Sequence, residues 1–244
     1  MNLSGNTVLI TGGASGIGLA FAARFLKAGN QVLVCGRREA KLQEAQRNFP
    51  ELHTYVCDVA RPKEREALFR WASHFPNLNV LVHNAGIQQR IDLLQPAGDW
   101  SHYYQEIAAN LEAPLHLSML FIPQLTAQSR AAIINVSSGL AFTPMAAAPI
   151  YCATKAALHS FTMSLRHQLS QTPVEVIEVA PPAVNTDLGG PGLHTFGVPV
   201  EQFADAVFAG LAEGRLEIGY GSSERSFRMS RDEIDAAFQR MNHR

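Results

Sequence analysis

The chain has 244 residues, of which 47% are hydrophobic and 17% charged, and its 20 basic and 21 acidic residues give a formal net charge of -1. This composition is typical of a globular protein, and we expect one α/β domain over residues 1–244. A near-neutral chain lacks the broad positive field that phosphate backbones require, which argues against nucleic acid as a partner.

Cysteine usage and hydropathy favour a cytoplasmic protein. Cys35, Cys57 and Cys152 are odd in number and have neither disulfide nor metal-ligand spacing, so we expect a reducing compartment and no bound metal. No signal-peptide pattern precedes the first apolar run. No apolar run approaches the roughly 20 residues of a membrane-spanning helix, so no membrane span is expected.

Short apolar runs alternate with longer stretches of helical periodicity along the chain. The runs that we interpret as strands are 7–10, 31–35, 54–56, 79–82, 131–136, 174–179 and 217–219. Helices are predicted to begin near Gly16, Arg38, Pro62, Trp100, Tyr151 and Glu201. Buried parallel strands joined by crossover helices give this pattern. The sequence therefore predicts a single doubly wound, Rossmann-like parallel sheet of about seven strands, flanked by helices.

Two segments depart from this alternation. Residues 187–199 contain four glycines and two prolines between a strand and a helix, which is typical of an irregular loop over a site. The tail at 222–244 is polar, with apolar residues partly at helical spacing, and we expect it to pack as a terminal helix. These two segments and residues 86–100 are expected to determine the substrate.

A glycine-rich turn directly follows the first strand and precedes a helix. It reads Thr11-Gly12-Gly13-Ala14-Ser15-Gly16-Ile17-Gly18. In such a turn the backbone can approach a pyrophosphate, whose charge is held by free N–H groups and the positive end of the helix dipole. Taken alone, helix packing explains such a turn equally well.

The end of the second strand indicates which dinucleotide the turn would hold. It reads Cys35-Gly36-Arg37-Arg38 and offers no carboxylate for the ribose hydroxyls of NAD. Arg37 and Arg38 could bind the 2′-phosphate instead, so NADP(H) is favoured. NAD(H) stays open, because both arginines could be solvated and Glu39 could reach the ribose.

Candidate catalytic side chains follow the fifth strand. Tyr151 and Lys155 lie four residues apart on a helix predicted over 150–169, so both project from one face. The lysine ammonium is expected to lower the pKa of the tyrosine toward working pH and so to permit proton exchange with a substrate oxygen. A surface pair is the alternative, but Ser137 and Ser138 emerge at the same edge of the sheet.

Together these motifs resemble the short-chain dehydrogenases/reductases over about residues 7–186. The family implies that Tyr151 is the acid/base, that Ser138, thirteen residues earlier, orients the substrate oxygen, and that Lys155 also binds the nicotinamide ribose. By the same resemblance Asn110 supports a water that links the lysine to solvent, and Asn84 stabilises the sheet beside the cofactor. Asp58 is implied to contact adenine, although a helix cap explains it equally well.

The resemblance also implies the remaining cofactor contacts and shows three departures. The implied contacts are Gly12, Ser15, Gly16, Ile17, Gly18, Arg37, Arg38, Asp58, Asn84, Ala85, Gly86, Tyr151, Lys155, Val184 and Thr186. His83 replaces the first Asn of the family's Asn-Asn-Ala-Gly, and we interpret it as structural. Pro182 replaces a glycine, and Ser15 stands where many NADP-preferring relatives have Arg or Lys.

The segments 137–142, 151–161 and 164–169 are also similar to a little-characterised branch named for D-alanylation operons of bacterial envelopes. We expect an oxidoreductase that moves a hydride between nicotinamide and a carbonyl or secondary alcohol, as a homodimer or homotetramer. The alternative is a non-catalytic NAD(P)-binding sensor, because a fold does not fix a function. An epimerase or dehydratase is disfavoured, since that branch carries a longer C-terminal domain.

Overall fold

Seven short apolar runs form one parallel sheet in the computed structural model, which describes residues 1–243. The strands are β1 (Thr7–Thr11), β2 (Gln31–Gly36), β3 (His53–Val56), β4 (Leu78–His83), β5 (Ala131–Val136), β6 (Val174–Ala180) and β7 (Glu217–Gly219). Their order is β3-β2-β1-β4-β5-β6-β7. The predicted Rossmann-like sheet is confirmed, and each predicted strand end lies within one residue of the observed one.

Eight α-helices flank this sheet in the described part of the chain. They are α1 (Gly16–Lys27), α2 (Glu39–Asn48), α3 (Pro62–Ala72), α4 (Trp100–Ile107), α5 (Ala113–Thr126), α6 (Pro149–Gln168), α7 (Val200–Ala212) and α8 (Arg231–Asn242). None of the helices within residues 1–243 is both long and apolar enough to cross a membrane.

The core lies on both faces of the sheet because successive strand residues point in opposite directions. On β1, Val8 and Ile10 pack with α1 and α7, where Phe21 and Phe203 are fully buried. Leu9 packs on the other face with residues of α3, α5 and α6. Strands buried on both faces are mainly apolar along their length, which explains why apolar runs identified them.

One predicted helix has a more complex structure than its sequence indicated. The helix expected from Trp100 consists of α4 and α5, which are joined without a loop by a π-helical segment, Ala108–Glu112. A π-helical turn inserts an extra residue and redirects the side chains that follow it, and such turns are frequent at functional sites. This one carries Asn110, which is fully buried.

The strand order brings the ends of distant segments together. β1 pairs with β2 on one side and with β4 on the other, so the direction of chain winding reverses at β1. Crevices for ligands form at such a switch point, outside the carboxyl ends of the strands. The glycine turn after β1 and the polar residues after β4 and β5 all lie at this edge.

The C-terminal tail returns to the same edge. Short 3-10 turns at Gly221–Ser223 and Ser226–Arg228 lead into α8, whose first turn is closed by reciprocal hydrogen bonds between Ser230 and Glu233. The tail therefore forms the expected terminal helix, although none of its residues within α8 is buried. Arg244, the last residue of the predicted tail, lies outside the described residues.

Candidate active site

A continuous cleft of about 1680 Å³ runs along the carboxyl edge of the sheet. Its wall includes residues of the glycine turn, the ends of β2 to β6, the 187–199 loop and α8. Pockets for a single small molecule usually measure about 300–1,000 Å³. The cleft therefore has room for two ligands side by side.

The glycine turn fits a dinucleotide pyrophosphate. Gly12 has φ +66°, a backbone conformation that side chains rarely adopt, and a Cβ atom there would lie 2.9 Å from Ala85 Cα. α1 begins at Gly16 with no acidic residue in its first turn and no side-chain bond from its cap, Ser15. The N–H groups of the first turn of α1 and the helix dipole are thus available to an anion.

Gly18 has a packing role behind the cleft wall. A Cβ atom at Gly18 would lie 2.5 Å from Asn84 Nδ2 and would also overlap the Gly12 carbonyl oxygen. Gly12, Ser15, Gly16 and Ile17 line the cleft, whereas Gly18 does not. Gly18 therefore brings α1 close to β1 and β4, and any effect on a cofactor is indirect.

The arginines after β2 lie beside this turn. Arg38 donates from Nη2 to Ser15 Oγ over 2.9 Å, and both Arg37 and Arg38 line the cleft. Glu39 is absent from the lining and instead accepts a hydrogen bond from Gln43. This end of the cleft is consequently cationic.

Asp58 lines the cleft at the end of β3 and also caps the following turn. Its Oδ1 accepts from the Ala60 N–H over 3.1 Å, and Oδ2 lies 3.7 Å from Arg61 Nε. Asp58 therefore caps the turn before α3 and not the helix itself, and its place in the cleft wall leaves the implied adenine contact a prediction.

The segment after β4 is attached to the glycine turn by Asn84. Its Nδ2 donates to the carbonyl oxygens of Thr11 and Gly12 over 3.0 and 3.2 Å. Thr11 Oγ1 accepts from the N–H groups of Asn84 and Ala85, each over 3.1 Å. These bonds fix Asn84, Ala85 and Gly86 in the cleft wall.

His83, just before this segment, has no exposure to the cleft. It is 2% exposed, and Nε2 lies 3.0 Å from Ser118 Oγ. Burial lowers the pKa of His83 to about 3, so the ring is neutral at physiological pH. This agrees with the structural interpretation of the departure.

Ser138, Tyr151 and Lys155 meet at the middle of the cleft. α6 presents Tyr151 and Lys155 on one face, with Lys155 Nζ 5.7 Å from the Tyr151 ring centroid and 2.8 Å from the Val136 carbonyl oxygen. Ser138 follows β5, and its Oγ accepts from the Leu140 N–H over 3.1 Å. A substrate oxygen in the cleft could contact both hydroxyls.

The predicted direction of the Tyr151 pKa shift is wrong. Burial dominates and raises the pKa of Tyr151, while the bond to Ser138 opposes part of that rise. Burial also lowers the pKa of Lys155 to about 8. Both shifts have one cause, because a charged group loses hydration in this enclosed site.

Glu106 is a titratable residue of this region that the motifs did not identify. It lies on α4, is 1% exposed and accepts from the Gln89 N–H over 3.3 Å. Burial raises the pKa of Glu106 to about 7, and its charge acts on both Tyr151 and Lys155. The sequence offered one indication of this residue, because Glu106 lies four residues, about one helical turn, before the candidate site residue Asn110.

Asn110 lies behind the cleft wall rather than in it. Its side chain forms two 2.8 Å bonds with the backbone of Ile87 and donates to Thr154 Oγ1 over 3.2 Å. A Cβ atom on Gly86 would lie 3.5 Å from Asn110 Oδ1 and 3.7 Å from Lys155 Nζ. Asn110 thus joins the segment after β4 to α6 next to the lysine.

The segment after β6 closes the cleft on the opposite side. Val184 pairs with Val198 in an isolated bridge, and Thr186 faces Gly16, whose Cβ would lie 3.3 Å from the Thr186 methyl group. Pro182 lies in the cleft wall with both of these residues. Despite the proline, Val184 and Thr186 both line the cleft.

The tail and the 187–199 loop form the wall beyond Tyr151. Phe227 packs against Phe142 at 4.9 Å between ring centroids, and Asn242 bonds to Pro144 and Ala146. The apolar residues of this end of the cleft are Leu140, Met145, Leu188, Leu193, Phe196, Met229, Ala236, Ala237 and Met241. The sequence suggested a role for the tail but did not show which residues face the cleft.

With this geometry, comparison with known proteins defines the class. Residues 6–193 match the family model described as short chain dehydrogenase. The chain therefore belongs to the short-chain dehydrogenase/reductase family, as its motifs indicated, and it is an oxidoreductase of that family.

Particular relatives refine this assignment. The chain is 50% identical to an uncharacterized oxidoreductase, DltE, of Bacillus subtilis strain 168, covering 99% of this chain and 98% of that one. This agrees with the similarity to the D-alanylation branch. A short chain dehydrogenase from Burkholderia cenocepacia J2315 in complex with NADP superposes with TM-score 0.86 at 25% identity, covering 100% of both chains. A Burkholderia phymatum family member in complex with NAD shares the fold, with TM-score 0.85, 20% identity and 97% and 96% coverage.

Proposed function

We propose that this protein transfers a hydride between a nicotinamide cofactor and a carbonyl compound or secondary alcohol, with Tyr151 as acid/base. The observation that carries the proposal is the convergence of Ser138, Tyr151 and Lys155 in a cleft that continues to a glycine turn suited to a pyrophosphate. The bound nicotinamide would supply or accept the hydride.

The protein side chains would control the proton and the position of the substrate oxygen. In reduction, Ser138 donates a hydrogen bond to the carbonyl oxygen, and Tyr151 gives that oxygen its proton. The raised pKa of Tyr151 keeps the phenol protonated at neutral pH, which is the form that an acid needs. Lys155, held by the Val136 carbonyl, lies within reach of the tyrosine ring and would stabilise negative charge there.

Arg37 and Arg38 support a preference for NADP(H) over NAD(H). Both line the end of the cleft that follows β2, and Arg38 is fixed on Ser15 by a hydrogen bond. Ser15 therefore anchors an arginine at the position where relatives often carry a basic residue. A guanidinium pair suits the 2′-phosphate, whereas no carboxylate from β2 lines the cleft for ribose hydroxyls.

We call the glycine turn, Arg37, Arg38, Asp58 and Asn84 the cofactor half of the cleft, and the wall beyond Tyr151 the substrate half. The substrate half combines apolar side chains of the 187–199 loop and α8 with polar ones such as Gln89, His194 and Arg240. A wall of this mixed character suits a carbonyl compound that carries both a hydrophobic body and polar substituents.

Replacement of Tyr151 by phenylalanine tests the assignment. Tyr151→Phe keeps the ring but removes the proton, so kcat should fall by about 10²–10⁴-fold on any aldehyde, ketone or alcohol that the wild-type protein turns over. Binding of NADPH, followed by calorimetry, should stay within about threefold of wild type, since the ring packing is kept. Near-normal kcat in this variant would contradict the role of Tyr151, and wild-type cofactor binding without turnover of any carbonyl would favour the sensor.

The proposed assembly rests on exposed apolar side chains outside the cleft. We expect a homodimer or homotetramer, because Met119 of α5 and Met163 of α6 are 72% and 54% exposed apolar side chains. Light scattering after gel filtration measures the mass, and a monomer would contradict this.

The proposed cytoplasmic location rests on the cysteines. The thiols of Cys35, Cys57 and Cys152 are buried and unpaired, which suits the reducing cytoplasm.

A further inference from the structure

A second polar cluster lies directly behind Ser138. Glu178 of β6 is fully buried, and its Oε1 accepts a hydrogen bond from Ser137 Oγ over 2.6 Å. Its other oxygen, Oε2, lies 2.8 Å from His159 Nδ1. A carboxyl in the middle of a strand of an apolar sheet is costly unless each oxygen has a partner, and here both have one.

His159 extends this cluster along the catalytic helix. It lies on the same face of α6 as Tyr151 and Lys155, one turn beyond the lysine. The bond to Glu178 raises the pKa of His159, while the charges of Glu217 and Arg166 act on it in opposite directions. The rings of Phe142 and Phe227 pack around the imidazole at 4.6 and 6.3 Å between centroids. The side chain is thus fixed on several sides.

The cluster contacts the segment 136–138, in which each of three consecutive residues makes a different contact. The Val136 carbonyl holds Lys155 Nζ, Ser137 is bonded to Glu178, and Ser138 lines the cleft with Tyr151. The backbone ladder to β6 continues on both sides of Ser138, through the N–H groups of Ser137 and Gly139. The Ser137 hydroxyl joins this segment to the buried carboxyl group of Glu178.

We propose that Glu178, held by His159, is a positioning residue that fixes the Ser138 hydroxyl through Ser137. The role of Ser138 in turnover rests on the proposed function, whereas the positional effect does not. Since Glu178 reaches Ser138 through a neighbour, it contacts neither substrate nor cofactor.

Amide hydrogen exchange at Leu140 reports the position of Ser138 without any substrate. The Leu140 N–H donates to Ser138 Oγ over 3.1 Å, so its exchange rate depends on where that oxygen lies. In Ser137→Ala the bond to Glu178 is lost and Ser138 is untouched. We expect Leu140 exchange, measured by NMR, to become about tenfold faster.

Thr162→Val is a matched control for this measurement. Thr162 Oγ1 accepts from Asn135 Nδ2 over 2.8 Å, which is a buried side-chain bond between α6 and the end of β5. Valine keeps the branched shape of threonine and has a methyl group in place of the hydroxyl. The loss of stability should be similar, but Leu140 exchange should stay within about twofold of wild type, because this bond does not lead to Ser138.

Glu178→Gln is the conservative variant. The amide oxygen of glutamine can still accept from Ser137, so Leu140 exchange should stay within about threefold of wild type. Equal exchange rates in wild type and Ser137→Ala, or equal acceleration in Ser137→Ala and Thr162→Val, would overturn the proposal.

Kinetics give a separate readout wherever the wild type turns over a carbonyl. In Ser137→Ala kcat should fall about tenfold while the Kd for NADPH is unchanged, and Thr162→Val should keep kcat within about twofold. A wild-type chain with no turnover would count against the proposed function, and Leu140 exchange would still decide the positional role.

Discussion

The centre of the cofactor half is backbone that follows β1 and β4, which are buried along their whole length, whereas the substrate half is walled by a loop and by a helix with no buried residue. In the first, Asn84 joins β4 to the glycine turn by bonds to two carbonyl groups. In the second, α8 is attached through a few contacts such as those of Asn242. The cofactor half is thus held by many backbone contacts, whereas the substrate half is held by few. We expect the first to vary little within the family and the second to vary with the substrate.

The largest effect is expected where the cofactor half has no spare space. Gly18→Val places side-chain atoms against Asn84 and the Gly12 carbonyl, so the glycine turn must move. We expect the Kd for NADPH, measured by calorimetry, to rise at least about 100-fold. Gly214→Val is the control for a loss of stability alone, because Gly214 has φ +74°, no atom lies within 4 Å of a Cβ there, and the residue does not line the cleft. Unchanged cofactor binding in Gly18→Val would break the comparison.

Arg37 tests the electrostatics of the same half. Arg37→Ala should lower kcat/KM with NADPH by about 10–100-fold, since a charge-assisted contact to phosphate is lost, and leave kcat/KM with NADH within about threefold. Arg47→Ala, at the far end of α2, is the control for loss of a surface charge. Equal losses with both cofactors would show that Arg37 does not contact the 2′-phosphate.

The buried carboxyl group of Glu106 makes the stability of the protein depend on pH. The pKa of Glu106 is raised to about 7, above its value of 4.5 in the unfolded chain, so the native state binds the extra proton between these values. Stability is therefore lost as pH rises from 5 to 8. Glu106→Gln should remove about 2 kcal/mol of that loss, measured by urea unfolding across this range. Parallel pH profiles for the two proteins would refute it.

The smallest effect is expected at α8. Ala237→Trp fills part of the substrate half, so KM for a bulky ketone should rise about tenfold while the Kd for NADPH stays unchanged. Gln239→Trp, on an exposed position of α8 that does not line the cleft, is the matched control. If both variants behave alike, α8 is not part of the substrate wall.

The same contrast explains what the sequence could predict. The apolar strands and the glycine turn were identified because their patterns are local, and Ser138, Tyr151 and Lys155 because their spacings are typical of the family. Glu178 gave no such pattern, since its partners Ser137 and His159 lie 41 and 19 residues away. The pKa of Tyr151 was predicted in the wrong direction, because charge spacing can be counted in a sequence and burial cannot.

The face of α8 that lines the cleft is a place where the substrate range of this protein could be altered. The family model ends at residue 193, and the α8 side chains in the substrate half lie between 233 and 241. A library of codons restricted to those positions would vary the accepted carbonyl compounds while leaving the proton donor and the dinucleotide site untouched. The part of the proposed selectivity that α8 contributes is thus encoded outside the segment that matches the family model.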